Sequence, residues 1–275
     1  MEILLVVALA AVAWWLWGRW RRHRRRRIAA TPLPKDWVRI IEHNLPLYRG
    51  LPPDLREQLH GHIRLFLHDK RFHGFHGLEV TDEMRLTVAA NACLLLLNRP
   101  HDHFGAFTSI YLYPTTFVSQ QKHHDGLVES VGRQARLGES WHRGPLVLAW
   151  DSVQKGVRDL HDGHNVVLHE FAHKLDGADG AVDGAPILPQ GSQYASWARV
   201  MQREFEALRQ RAGSGTRGLI DTYGATAPAE FFAVLVELFY ERPHRLRREH
   251  PELYAELVAC FEVDPADWHE RLQSN

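Results

Sequence analysis

His169, Glu170 and His173 stand in an H-E-x-x-H pattern, within a stretch whose apolar residues Val166, Val167, Leu168, Phe171, Ala172 and Leu175 read as one buried helix. Two histidines at i and i+4 share a helical face, so both imidazoles can reach a single metal ion. The residue between them makes such a site hydrolytic, because the Glu170 carboxylate beside a metal-held water can take its proton. Two imidazoles and a carboxylate among aliphatic neighbours would be costly to bury without a partner. The chemistry these residues imply is hydrolysis assisted by a metal ion, with Zn2+ as the expected cofactor and a peptide or protein as the expected substrate.

A catalytic zinc with two histidines needs one more protein ligand and a position for water. The longer pattern H-E-x-x-H-x-x-G-x-x-H is absent, since Asp176 occupies its glycine position and Asp179 its third histidine. Glu230, in Pro228-Ala229-Glu230-Phe231-Phe232-Ala233-Val234-Leu235, is the strongest carboxylate candidate. It also fits a plainer role, a first-turn glutamate after proline favoured by the helix dipole. Glu237 lies two turns further along the same face and reads either as an orienting partner of a ligand histidine or as a structural carboxylate. Asp176 has a similar pair of readings: it orients a histidine or it closes the helix. Asp176, Asp179 and Asp183 lack the spacing of an EF-hand loop.

The elements that must hold these groups are mainly helical. Apolar residues recur at helical spacing from Trp37 to about Arg99, as in Leu59, Ile63 and Phe66 and again through Leu94–Leu97. Two short β-rich runs, Ser109–Pro114 and Leu146–Trp150, are the strand candidates. The turn His161–Asn165 opens the H-E-x-x-H helix, with His164 or Asn165 near the N-cap, and Asp176-Gly177 ends it. Further helices are expected over about 193–211 and 228–241, with a final one around 252–261. The expected fold class is α+β, mainly helical, with a small sheet and one N-terminal hydrophobic helix. The edge of the second strand run is a place where an extended peptide could add as a strand. The loops 177–192 and 213–227 are where pocket shape would be set.

The 2 cysteines, Cys93 and Cys260, sit in apolar surroundings without CxxC spacing and read as buried thiols, which leaves histidine and carboxylate as the metal ligands. The pairs His101/His103 and His123/His124 read as exposed polar residues. A formal net charge of zero hides an asymmetry: seven of the 33 basic residues are arginines between Arg19 and Arg27, and the body from Thr31 carries six more acids than bases. Nothing in that acidic body suggests nucleic acid.

The arginines follow an apolar run, Ile3–Trp17, that continues through Gly18 to Trp20. At about 1.5 Å per residue the segment spans roughly 27 Å as a helix, slightly short of a hydrocarbon core of about 30 Å. Trp14, Trp15, Trp17 and Trp20 suit the headgroup interface. A cleaved signal peptide carries its charge before the apolar run, whereas here the order is reversed. The expectation is an uncleaved single-span anchor with the body in the cytoplasm; a peripheral hydrophobic helix and a cleaved leader are the other readings. The chain then divides into a membrane anchor with its Arg-rich segment (1–28), a Pro-containing linker (29–36) and a peptidase domain (37–270).

The segments His169–Asp176, Gly144–Trp150 and Asp221–Val234 together resemble the Mlc titration factor A family of zinc-dependent peptidases, over roughly residues 37–265. The resemblance implies a zincin-like catalytic domain similar to that of lethal-factor-type toxin peptidases. It matches His169, His173 and Glu230 to the zinc ligands, Glu170 to the catalytic glutamate and Tyr223 to a tyrosine that assists catalysis. Phe231 departs from the smaller residue expected in some relatives. The resemblance also implies a second function, capture of a regulatory partner such as a transcriptional repressor with the metal mainly structural. Glu170 argues for catalysis, since a pure binder has no need of it.

Overall fold

The computed structural model describes residues 2–99, 104–115, 144–216 and 218–274. The histidine pairs at 101/103 and 123/124 lie outside them. As the sequence pattern implies, the architecture is mainly helical with one small sheet and an apolar helix at the N-terminus.

The first helix, α1 (Glu2–Ala29), is followed after a turn by α2 (Lys35–Asn44) and α3 (Pro53–Asp69), both preceded by proline. α4 (Asp82–Leu94) starts where the Thr81 hydroxyl accepts the Met84 N–H, a side-chain cap, and its residues from Leu86 onward are buried. Among the described residues the sheet has three parallel strands in the order β1 (Arg71–Gly74), β2 (Ser109–Tyr113) and β3 (Leu146–Ala149). Ile110 pairs with Phe72 on one side and Leu146 on the other. The strand period of two sends Ile110 and Leu112 into the core and Tyr111 and Tyr113 to the opposite face, where they meet His73 and Phe75.

The stretch 37–99 is mainly helical, as expected, and includes one short strand, β1, at Arg71–Gly74, which the period-two pattern could not announce because most of its residues are exposed. Two expectations are corrected. Trp150 is not a strand residue but opens α5 (Trp150–Arg158), whose first turn holds Asp151 and whose inner face buries Val153 and Gly156. The helix at 252–261 is not the last. α10 (Pro251–Phe261) is flanked by α9 (Pro243–Glu249) and α11 (Pro265–Ser274), the latter opened by Asp264, whose carboxylate accepts the Ala266 N–H.

The centre of the body is α8 (Pro228–Glu241), buried from Ala229 to Glu241, as expected of a helix apolar on nearly every side. Phe232 and Phe239 stack on Phe261, Tyr240 meets Phe261 edge-on and packs against Trp268, and these contacts fix α8 to the C-terminal helices. α6 (Val166–Asp176) lies between α8 and the sheet, and α7 (Tyr194–Gly213) covers the remaining flank.

Candidate metal centre

α6 begins at Asn165 because the side-chain Oδ1 accepts the N–H groups of Val167 (3.1 Å) and Leu168 (3.2 Å). The turn before it needs glycine. Gly163 has φ +81°, and a Cβ there would stand 2.8 Å from Leu238 Cδ2, so the loop presses directly on α8. The rotation of α6 is set by Phe171, fully buried among Phe66, Phe104 and Phe107. His169, Glu170 and His173 are left on the half-exposed side.

On that side α8 delivers Glu230 from its first turn. Its Oε2 lies 3.0 Å from His169 Nε2 and 3.3 Å from His173 Nε2, and the two Nε2 atoms are 3.2 Å apart. Ligands bonded at about 2.0–2.1 Å in a tetrahedral arrangement stand roughly 3.3–3.4 Å from one another. The triangle therefore has the size of one face of such a coordination sphere, and the three residues form a group that could hold a metal ion.

The other ring nitrogen of His169 is held just as closely. Nδ1 sits 2.7 Å from Glu237 Oε1, while Glu237 Oε2 accepts the backbone N–H of Asn165 at 2.5 Å. Glu237 thus ties the N-cap of α6 to the histidine one turn on, the arrangement that fixes an imidazole tautomer. From Asn165 the chain of hydrogen bonds continues through buried groups: Asn165 Nδ2 donates to Asn91 Oδ1, Asn91 Nδ2 to the Thr87 carbonyl, and Asn44 Nδ2 to Thr87 Oγ1.

The electrostatics follow from these contacts. Burial alone would lower the His169 imidazole, but Glu230 and Glu237, one on each nitrogen, together with Glu170 push it up to about 10. Burial would raise Glu230, yet hydrogen bonds and charge from His169 and His173 hold it well below the usual carboxylate range. Tyr223, whose backbone N–H is accepted by Asp221 at 2.8 Å, has its ring 6.0 Å from that of His169. Burial and the Glu230 carboxylate raise its phenol, so it remains a hydrogen-bond donor. Lys174 is lowered by burial against the opposing pull of Glu170.

Asp176 does not hydrogen-bond to either histidine. Its Oδ2 accepts the Gly184 N–H at 3.1 Å, and burial raises its carboxyl to about 6. The role is to hold the rim loop after α6. Gly184, with φ +80°, lets that loop touch the N-terminus of α8, where a Cβ would meet the Pro228 carbonyl at 2.6 Å. The same loop, α7 and α8 enclose a cavity of about 290 Å³ lined by Tyr194, Trp197, Met201, Phe205 and Phe231; none of His169, His173 and Glu230 lines it.

Two groups beside the site escaped the sequence reading. Asn91 is 2 % exposed inside an apolar helix, a position where a carboxamide needs buried partners, and that was the available signal. Glu241 ends the apolar run of α8 at 1 % exposure with neither carboxyl oxygen hydrogen-bonded.

A model of the glucose-regulated metallo-peptidase M90 family matches residues 17–262. The chain belongs to that family. Among proteins similar to this chain, the uncharacterized protein slr2042 of Synechocystis sp. is 38% identical over 96% of this chain and 97% of its own length. Mlc titration factor A of Klebsiella pneumoniae is 32% identical over 84% of this chain and 86% of its own, and that of Serratia proteamaculans 35% over 72% and 76%. The M90 match starts inside α1, after most of its apolar run and before its arginines.

Proposed function

We propose that this chain is a zinc-dependent peptidase held at the cytoplasmic face of a membrane by α1. The observation that carries the reading is the triangle of His169, His173 and Glu230 ligand atoms with Glu170 on the same helix and the same half-exposed side. Two imidazoles and one carboxylate are a donor set suited to catalytic zinc, and when bound the ion would lower the pKa of a water and polarise the scissile carbonyl. Glu170 then takes the proton of the attacking water and passes it to the leaving amine. Tyr223, kept protonated by burial, donates a hydrogen bond to the oxyanion that develops on the carbonyl. Glu237 holds the His169 ring in one orientation throughout. The peptide adds as a strand along β3, which is an edge of the sheet among the described residues.

Chelator-stripped protein is expected to lose hydrolysis of a fluorogenic peptide library and to regain it with about one equivalent of zinc. In the same assay Val147→Pro should slow turnover several-fold, and unchanged turnover would count against strand addition along β3. The name Mlc titration factor A, carried by relatives, supports a second reading in which the fold captures a regulatory protein. Zinc-loaded protein that cleaves nothing yet binds a partner would favour it.

The anchor reading rests on Leu4–Ala29, long and apolar enough to cross a membrane, whose apolar stretch is not buried in the body. The arginines follow the apolar run directly, and positive charge stays on the cytoplasmic side.

A further inference from the structure

α1 is one continuous helix, and its two halves have different surroundings. The apolar half is bare: Leu4, Trp14, Trp15 and Trp20 are all more than half exposed. The basic half is docked. Arg25 Nη1 reaches Asp69 Oδ2 at 2.7 Å in a partly buried pair, and Arg24 Nη2 stands 3.2 Å from His68 Nε2. Because arginine can only donate, His68 Nε2 accepts; its Nδ1 then carries the hydrogen given to Asp69 Oδ1 at 2.9 Å. Ala29 lies against Gly61 so closely that a Cβ on the glycine would touch the Ala29 carbonyl at 3.4 Å.

The segment read as a linker is held as well. Arg64 donates to the carbonyls of Thr31 and Pro32 and lies over the Trp37 ring, while Leu33 is buried. The family match includes this basic half.

The register gives a direction. Residue 25 faces 69 and residue 29 faces 61, so α1 and α3 run antiparallel and the C-terminal end of α3 points toward the apolar half. Five residues at about 1.5 Å each separate Trp20 from Arg25, which brings Asp69 within roughly 8 Å of the tryptophan level along the helix axis. Arg21, Arg22, Arg26 and Arg27 are exposed at that level, and so is Arg71 at the start of β1.

Resting on the anchor reading above, we infer that α1 clamps the body rather than tethering it, with the end of α3 and the start of β1 set against the headgroups of an anionic bilayer. The partner surface is phosphatidylglycerol-type lipid, met by the exposed arginines. The catalytic domain keeps one height and one orientation, and its substrates are segments that reach the bilayer surface.

The test uses the full chain in phosphatidylcholine vesicles with and without phosphatidylglycerol, with an environment-sensitive fluorophore on His73→Cys in β1. Cys93 and Cys260 are buried and do not compete for the label. A headgroup-attached quencher lipid should quench the probe several-fold more in the clamped protein than in Asp69→Arg or Gly61→Leu, and more in anionic than in neutral vesicles. The charge swap Arg25→Asp with Asp69→Arg should restore the quenching, which a merely misfolded variant would not. Equal quenching in all variants, or none in the parent protein while it still sediments with vesicles, would overturn the clamp. Failure of the parent chain to sediment with vesicles would instead remove the anchor reading on which it rests.

Discussion

Glu170→Gln is expected to retain about one zinc per chain and to hydrolyse peptides roughly 100- to 10,000-fold more slowly than the parent protein, the usual worth of a positioned general base. The argument is geometric. Glu170 makes none of the contacts that close the ligand triangle, so the amide leaves His169, His173 and Glu230 where they are. What it removes is a group able to accept a proton beside the attacking water. The measurement pairs metal content with single-turnover cleavage. A variant that loses its zinc would mean that Glu170 supports the metal itself, and a variant that keeps full turnover would mean that another group is the base.

The second large effect is on stability. Burial pushes the Glu241 carboxyl up to about 9; the nearby Asn165 side chain opposes it, the charges of Glu237 and Asp162 add to it, and the His164 backbone lowers it slightly. In the unfolded chain the same group titrates near 4.5. Between those values the folded state holds a proton that the unfolded state has released, so stability must fall as pH rises. The contribution is complete below about pH 4.5 and is lost by the time pH passes about 9. Its slope is on the order of 1.4 kcal/mol per pH unit at most. Glu241→Gln keeps the volume and removes the titration, so chemical denaturation across this range should show a flatter profile and a more stable protein at the alkaline end. Identical slopes for the two proteins would mean that Glu241 is ionised in the fold.

The sequence disclosed those parts of the site that repeat with helical period or carry a known spacing. The α6 and α8 boundaries follow from Asn165, Gly177 and Pro228, residues whose backbone preferences act locally. Glu230 and Glu237 share a face of α8, and the i, i+7 spacing placed them together without any knowledge of what they would meet. What could not be read was chosen by tertiary context. β1 is a strand only because β2 pairs with it, and its own Arg71-Phe72-His73-Gly74 has no alternating apolar pattern. Trp150 has strand propensity but obeys the helix that Asp151 favours from its first turn and that the burial of Val153 holds in place. Of the two readings of Asp176, orienting a histidine or closing the helix, the residue does end α6, and its carboxylate accepts from Gly184, because a carboxylate's choice of donor depends on which loop folds back over it.

The candidate ligand atoms come from two helices, in residues about sixty apart in the chain, and their spacing exists only after α8 has docked on α6. An unfolded chain presents no such triangle, so a metal ion with appreciable affinity for it acts by mass action on the folding equilibrium. At a free ion concentration one hundred times the dissociation constant the gain is about 2.7 kcal/mol, enough to lower the unfolded population by roughly a hundredfold. Metal supply would then govern the lifetime of the protein against proteolysis, quite apart from any part the metal has in catalysis.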